Sequence, residues 1–238
     1  MKNLFSVENK VVVMTGACGV LGATIVRHFA EQGAKVVLLD LERNCAEIIG
    51  RYGGIDVLLN AAGGNMAGAT VPPEGSIFDL DIEAVRRCTE LNLFGTILPT
   101  LVFAKVMAAQ GSGSIINFAS ESALRPLTRV AGYGVAKAAV VNWTKYLASE
   151  LAMKFGNGLR VNAIAPGFLL TDQNRSLLTN PDGSLTPRSQ IILAHTPYGR
   201  FLEPDELVGT LQWLASEASA AVTGTLTVID GGFDAFSI

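Results

Sequence analysis

The sequence predicts a doubly wound parallel α/β sheet in a single domain, and three observations carry that prediction. Short runs that are apolar throughout (VVVMT, KVVLLD, IDVLLN, SIINFA, LRVNAIA) recur along the chain, as strands buried on both faces require. Longer segments with helical signal, several ended by glycine, stand between them. A glycine-rich turn leaves the first apolar run and leads directly into the first helix. Alternation of this kind covers both faces of a parallel sheet with helices.

Taken in order, Lys10–Thr15 reads as a strand, Gly16–Gly22 as the glycine-rich turn, and Ala23–Gln32 as a helix stopped by Gly33. Lys35–Asp40 is a second buried strand, Glu42–Tyr52 a short helix, and Ile55–Asn60 a third strand followed by the loop Ala61–Gly64. Ser76–Thr89 has amphipathic helix signal, and Leu91–Gln110 is a long apolar helix stopped by Gly111. Ser114–Ala119 is a strand, Gly132–Phe155 a long helix, and Leu159–Ala165 a strand closed by Pro166-Gly167. Residues 168–200 are polar and contain proline; Pro204–Ala215 is a helix and Thr225–Ile229 a last strand, ended by Asp230-Gly-Gly.

One connection is short. Only 14 residues separate Asp40 from Ile55, whereas a βαβ unit takes roughly 30. Either the protein lacks an edge strand, or the sequence omits a segment near residues 42–47; omission is the reading taken.

Composition narrows the function classes. With 49% hydrophobic and 16% charged residues, the chain suits one large buried core. A net charge of −3 offers no basic footprint for nucleic acid. The mean hydropathy of +0.37 raises the question of a membrane. Yet the charge-free stretches Val11–Val26 and Leu91–Ala104 are interrupted by Gly, Asn or Pro, and both fall short of the ~18–20 apolar residues of a spanning helix. Glu8 and Lys10 interrupt the region where a signal peptide would be apolar. A soluble cytoplasmic protein with faces buried between subunits is expected. Cys18, Cys45 and Cys88 form no CxxC, and His28 and His195 are far apart, so neither a disulfide framework nor a metal site is expected.

The segment Thr15-Gly-Ala-Cys-Gly-Val-Leu-Gly22 joins a strand to a helix. Glycines there let the backbone approach a pyrophosphate held at the helix N-terminus. Asp40, ending the next strand, can accept from adenosine ribose hydroxyls and would repel a 2′-phosphate. Leu41 follows it and Arg43 is the only base nearby, so NAD is favoured over NADP.

Tyr133 and Lys137 lie four apart in a predicted helix and so share a face. An ammonium beside a phenol favours the phenolate and lowers its pKa, which suits Tyr133 to exchange a proton with a substrate oxygen.

The ordered set Thr15-Gly16…Gly22, Asn60-Ala-Ala-Gly63, Asn92, Ser120, Tyr133-x-x-x-Lys137 and Pro166-Gly167…Thr171 resembles the short-chain dehydrogenase/reductase family. The resemblance implies a Rossmann fold, with hydride exchanged between NAD(H) and an alcohol or carbonyl carbon. It assigns Ser120, Tyr133, Lys137 and Asn92 to catalysis: Ser120 holds the substrate oxygen, and Asn92 supports a water-linked relay to Lys137. The cofactor set it implies is Gly16, Cys18, Gly19, Val20, Leu21, Asp40, Asn60, Ala61, Gly63, Pro166, Gly167 and Thr171, with Tyr133 and Lys137. Val20 stands where the family's pattern has its middle glycine, with Gly19 before it. The family also implies tetramers built through the two long helices.

Substrate residues are expected on Gly64–Met66, Glu121–Arg129 and Phe168–His195, because ligands enter beyond the carboxyl ends of the strands. These segments carry Asn65, Ser122, Arg125, Arg129, Asn174, Arg175 and His195. Arg125, Arg129 or Arg175 could grip a carboxylate. TGACGVLG, NAAGGNMAGATVPP, LRPLTRVAGYGVAKAAV and NRSLLTNPDGSLTPR are further similar to the family's bacterial D-mannonate oxidoreductases (fructuronate reductases). That similarity implies interconversion of D-fructuronate and D-mannonate. A gluconate 5-dehydrogenase-like reductase of another sugar acid or polyol, and a non-catalytic NAD-binding protein, are the alternatives.

Overall fold

The computed structural model describes residues 3–39, 45–171 and 175–237. Six strands form one parallel sheet: β1 Val11–Thr15, β2 Lys35–Leu39, β3 Val57–Asn60, β4 Gly113–Phe118, β5 Leu159–Pro166 and β6 Leu226–Ile229, in the order β2-β1-β3-β4-β5-β6. Every residue of β1 and β3 is buried, as their unbroken apolar runs require. Because side chains alternate across the sheet, Val12 and Met14 join one core with Ile25, Phe29, Leu211 and Leu214. Val11 and Val13 join another with Phe103, Met107, Leu147 and Leu151.

The helices behind those cores are α1 Val20–Glu31, α2 Cys45–Tyr52, α3 Ile82–Thr89, α4 Gly95–Gln110, α5 Ala131–Phe155, α6 Arg175–Leu178, α7 Pro187–Ala194 and α8 Val208–Ala215. α1 begins three residues earlier than its sequence signal. α3 is shorter than the expected Ser76–Thr89, because Asp81 caps it by accepting from the amides of Glu83 and Ala84 at 2.9 and 3.2 Å. A π-helical turn, Glu90–Phe94, then joins α3 to α4. The polar stretch 168–200 contains α6 and α7, the second capped by Thr186 with Pro187 in its first turn. The run Ile82–Gln110 is long and apolar enough to cross a membrane by length and composition, which the separate charge-free windows did not register. Its inner side, with Cys88, Asn92, Thr100 and Phe103, is buried in this fold.

The strand order reverses between β2-β1 and β3, so a crevice opens at the carboxyl ends of β1 and β3. Register brings Thr15, Asn60 and Asn117 side by side there. β2 is an edge strand, and no strand is seen outside it among the described residues. Asp40, Glu42–Asn44 of the expected short helix, and Asn174 lie outside the described residues.

Candidate active site

The turn after β1 is built around close backbone approach. A Cβ on Gly22 would stand 2.3 Å from the carbonyl oxygen of Gly16, so only glycine lets the helix start against the loop. Cys18, Gly19 and Val20 are exposed on its rim, and Leu21 is half-buried. Gly19 caps α1 without a side-chain hydrogen bond, and the first turn carries no acidic residue. The helix therefore presents free amides and a positive dipole end to an anion.

The hydroxyl of Thr15 accepts from the amide of Ala62 at 3.1 Å, tying the end of β1 to the loop after β3. Asn60 sits behind that loop and not on its surface. Its Nδ2 donates to Thr100 Oγ1 at 2.8 Å and to Asn117 Oδ1 at 2.9 Å, which fastens β3 to α4 and β4. Its place is structural support for Ala61 and Gly63, which line the crevice.

Gly63, Asn92 and Lys137 converge. A Cβ on Gly63 would lie 2.6 Å from Asn92 Oδ1 and 3.0 Å from Lys137 Nζ. Asn92, fully buried on the π-helical turn, accepts from the amide of Gly64 at 3.0 Å and donates to its carbonyl at 2.8 Å. The turn interrupts regular helix at the residue that makes this clamp. Lys137, 3% exposed, donates to the carbonyl of Phe118 at 2.7 Å, and its ammonium stands 5.6 Å from the ring centre of Tyr133. Burial pulls the Lys137 ammonium down to about 8.

The sequence led to the expectation that Lys137 lowers the Tyr133 phenol. In the structure burial is the larger effect and pushes the phenol up, opposed by a hydrogen bond with Ser120. Ser120 follows β4 in extended conformation, and its hydroxyl also accepts from the amide of Ser122 at 3.2 Å. Tyr133, Ser120, Lys137 and Asn92 thus meet beside the crevice where Gly63 ends its approach. The arrangement suits a polarised oxygen held by Ser120 and Tyr133, with a proton exchanged at the phenol.

The residues expected near a substrate divide. Ser122 is buried with its hydroxyl unpartnered. Asn65 is exposed and bonded locally to Thr70 at 3.0 Å. Arg125 is engaged by Asp234, Nε to Oδ1 at 2.9 Å, and also donates to that residue's carbonyl. Arg129 holds a left-handed backbone (φ 76°), with its carbonyl accepting from Val71, and no described carboxylate pairs with it. With Ser122 and Arg125 it lines a groove of about 520 Å³ beside α5. Arg175 is exposed on α6. Pro166 and Gly167 end β5 against Asp230, and Thr171 lies half-buried beyond them. Sequence reasoning missed Arg188, which reaches from α7 to Thr128 Oγ1 and O at 2.9 and 3.0 Å and fixes that helix over the loop. The Thr186-Pro187 start of α7 was the available signal.

A family profile described as Enoyl-(Acyl carrier protein) reductase matches residues 40–234. The uncharacterized oxidoreductase UxuB of Bacillus subtilis (strain 168) is 38% identical, covering 98% of this chain and 97% of its own length. The chain belongs to the short-chain dehydrogenase/reductase family. A candidate D-mannonate oxidoreductase from Haemophilus influenzae, solved with bound NAD, superposes with a TM-score of 0.90 at 37% identity, covering 98% of this chain and 97% of that one. A gluconate 5-dehydrogenase from Burkholderia cenocepacia, in complex with NADP and tartrate, gives a TM-score of 0.84 at 26% identity, with 98% of each chain covered. As a member of the family the chain is an NAD(P)-dependent oxidoreductase acting on a CH–OH group.

The residues present fit such a dinucleotide. The exposed turn Cys18–Val20 at the N-terminus of α1 suits the pyrophosphate, and the Gly63 loop runs so close to Asn92 and Lys137 that a side chain there would collide with both. When bound, the dinucleotide supplies or accepts the hydride.

Proposed function

We propose that the protein interconverts D-fructuronate and D-mannonate with NAD(H). The observation that carries this reading is the assembled Ser120–Tyr133–Lys137–Asn92 set in a chain 37% identical to the NAD-bound Haemophilus structure. In the reductive direction, Ser120 holds the keto oxygen, Tyr133 gives it a proton, and Lys137 and Asn92 are placed to restore that proton. NAD is the proposed cofactor, since a carboxylate at Asp40 disfavours a 2′-phosphate. Arg125, Arg129 or Arg175 is the proposed contact for the sugar-acid carboxylate, with Asn65 and Ser122 near its hydroxyls. Arg125 would have to leave Asp234 to take that part.

The same reading covers chain organisation: one domain over residues 1–238 with a substrate loop at about 168–200. The alignment with the Bacillus relative spans 273 positions while this chain has 238 residues. At least 273 − 238 = 35 of those positions therefore have no counterpart here. We place that shortfall near residues 42–47, just after β2, the edge strand among the described residues. An intact mass well above 25.1 kDa supports an omitted segment, and 25.1 kDa refutes it.

Leu98 and Leu101 on α4 and Val135, Tyr146 and Met153 on α5 are all more than half exposed. An apolar face of that kind is commonly covered by a partner, and we propose a tetramer of cytoplasmic subunits joined through these helices; light scattering in solution tests the assembly. NADH absorbance with D-fructuronate, 5-ketogluconate and fructose, repeated with NADPH, tests the reaction. Turnover of 5-ketogluconate alone favours the gluconate 5-dehydrogenase-like alternative, and cofactor binding with no turnover favours the non-catalytic one.

A further inference from the structure

Glu121 directly follows the catalytic serine, is 1% exposed, and both its carboxyl oxygens are buried without a hydrogen-bond partner. The charged groups around it are Asp230 and Asp234 from the C-terminal turn and Arg125 from its own loop. The two aspartates are already provided for. Asp230 accepts from the amides of Gly232 and Asp234, and Asp234 takes the Arg125 guanidinium. Arg125, the cation beside it among the described residues, is therefore committed elsewhere, and a charged Glu121 would be a buried carboxylate among carboxylates with no described group donating to it. Such a group keeps its proton instead. Burial and the two aspartates push it up to about 8, against the opposing pull of Arg125.

A buried acid with no partner is a cost, and it is carried at the residue that joins Ser120 to the equally unpartnered Ser122 hydroxyl. We propose that Glu121 is a positioning residue whose neutral carboxyl seats the Ser120 loop on the Asp230–Asp234 turn, so that losing its proton unseats the catalytic serine. A third negative charge against the turn pushes the loop outward, and Ser120 moves with it. The kinetic half of this inference rests on the reaction proposed above; the stability half does not.

The sign follows from the shift. In the folded chain the acid is raised above its ordinary value, so its stabilising share is complete below about pH 4.5 and is lost as pH rises towards 8. Glu121→Gln keeps the neutral shape and cannot ionise. Its Tm should exceed that of the wild type by little near pH 5 and by several degrees near pH 8.5. The KM for D-fructuronate should climb over that range in the wild type and stay flat in the variant. Asp234→Asn, which removes one of the two negative charges beside Glu121, should reduce the wild-type fall in Tm. It serves as the second test if the glutamine variant does not fold. Parallel Tm curves for wild type and variant, or the same KM rise in both, overturn the proposal. Absence of any turnover in both proteins overturns the proposed reaction, while the Tm difference still decides the role of Glu121.

Discussion

Gly63→Ala tests whether the loop after β3, Asn92 and Lys137 meet at one point. The added methyl carbon would fall 2.6 Å from Asn92 Oδ1, 3.0 Å from Lys137 Nζ and 3.6 Å from Asn92 Cγ. Ordinary contacts lie near ~3.5–4.0 Å, so the carboxamide must move by about 1 Å. It has little freedom to do so, being fully buried and bonded to both backbone groups of Gly64 and to the carbonyl of Cys88 at 2.8 Å. Overpacking of this kind costs about 1–3 kcal/mol. For a chain of this size that lowers Tm by roughly 3–10 °C. Displacing Lys137 and Asn92 by up to ~1 Å should also lower kcat about 100-fold. Gly111→Ala is the control, because its backbone is left-handed (φ 76°) with no atom within 4 Å. It should lose about 1–2 kcal/mol with kcat unchanged. Thermal unfolding and single-turnover NADH oxidation separate the two effects. A Gly63→Ala enzyme with wild-type kcat would refute the convergence, whatever its Tm.

Tyr133→Phe should abolish turnover and leave dinucleotide binding intact by fluorescence titration, and Ser120→Ala should cost about 100- to 1000-fold in kcat; a Phe variant that still turns over sinks the mechanism. Lys137→Met should be roughly 1–3 kcal/mol more stable than wild type at pH 7. The folded lysine loses its proton near 8 and the unfolded one near 10.5, so wild-type stability rises between those values and the gap should close there. A gap independent of pH in denaturant titrations contradicts the cause given for Lys137. Arg160 is 8% exposed and donates to the carbonyls of Leu214 and Ser216 and to Ser219 Oγ, fastening the end of α8 to β5. Arg160→Ala should lose about 2–4 kcal/mol with kcat unaltered, and an unchanged Tm would deny that role.

The strands were legible because a parallel sheet buried on both faces leaves no alternative pattern: β1 and β3 are apolar at almost every position and buried at every one. The Tyr133–Lys137 pair was legible for a similar reason, since a four-residue spacing on a helix fixes a shared face. The π-helical turn at Asn92 was not, because one extra residue in a turn barely disturbs a hydrophobic period. Nor was the break before α3, where Asp81 competes for backbone amides inside a segment with helical periodicity. The direction of the Tyr133 shift depends on depth of burial, which the order of residues does not state. Arg125 read as a free cation because Asp234, which takes it, lies 109 residues further along.

β2 has consequences of its own. Its five residues, Lys35–Leu39, pair with β1 on one side and with nothing described on the other, and Leu38 is 41% exposed. A bare edge of this kind is a template: any extended peptide can complete its row of amides and carbonyls. Two modest guards stand on it, its shortness and the lysine at its head. Colloidal behaviour at high concentration therefore divides the two readings of the chain: an edge left open drives self-association, whereas a strand supplied by an omitted segment covers β2 and suppresses it.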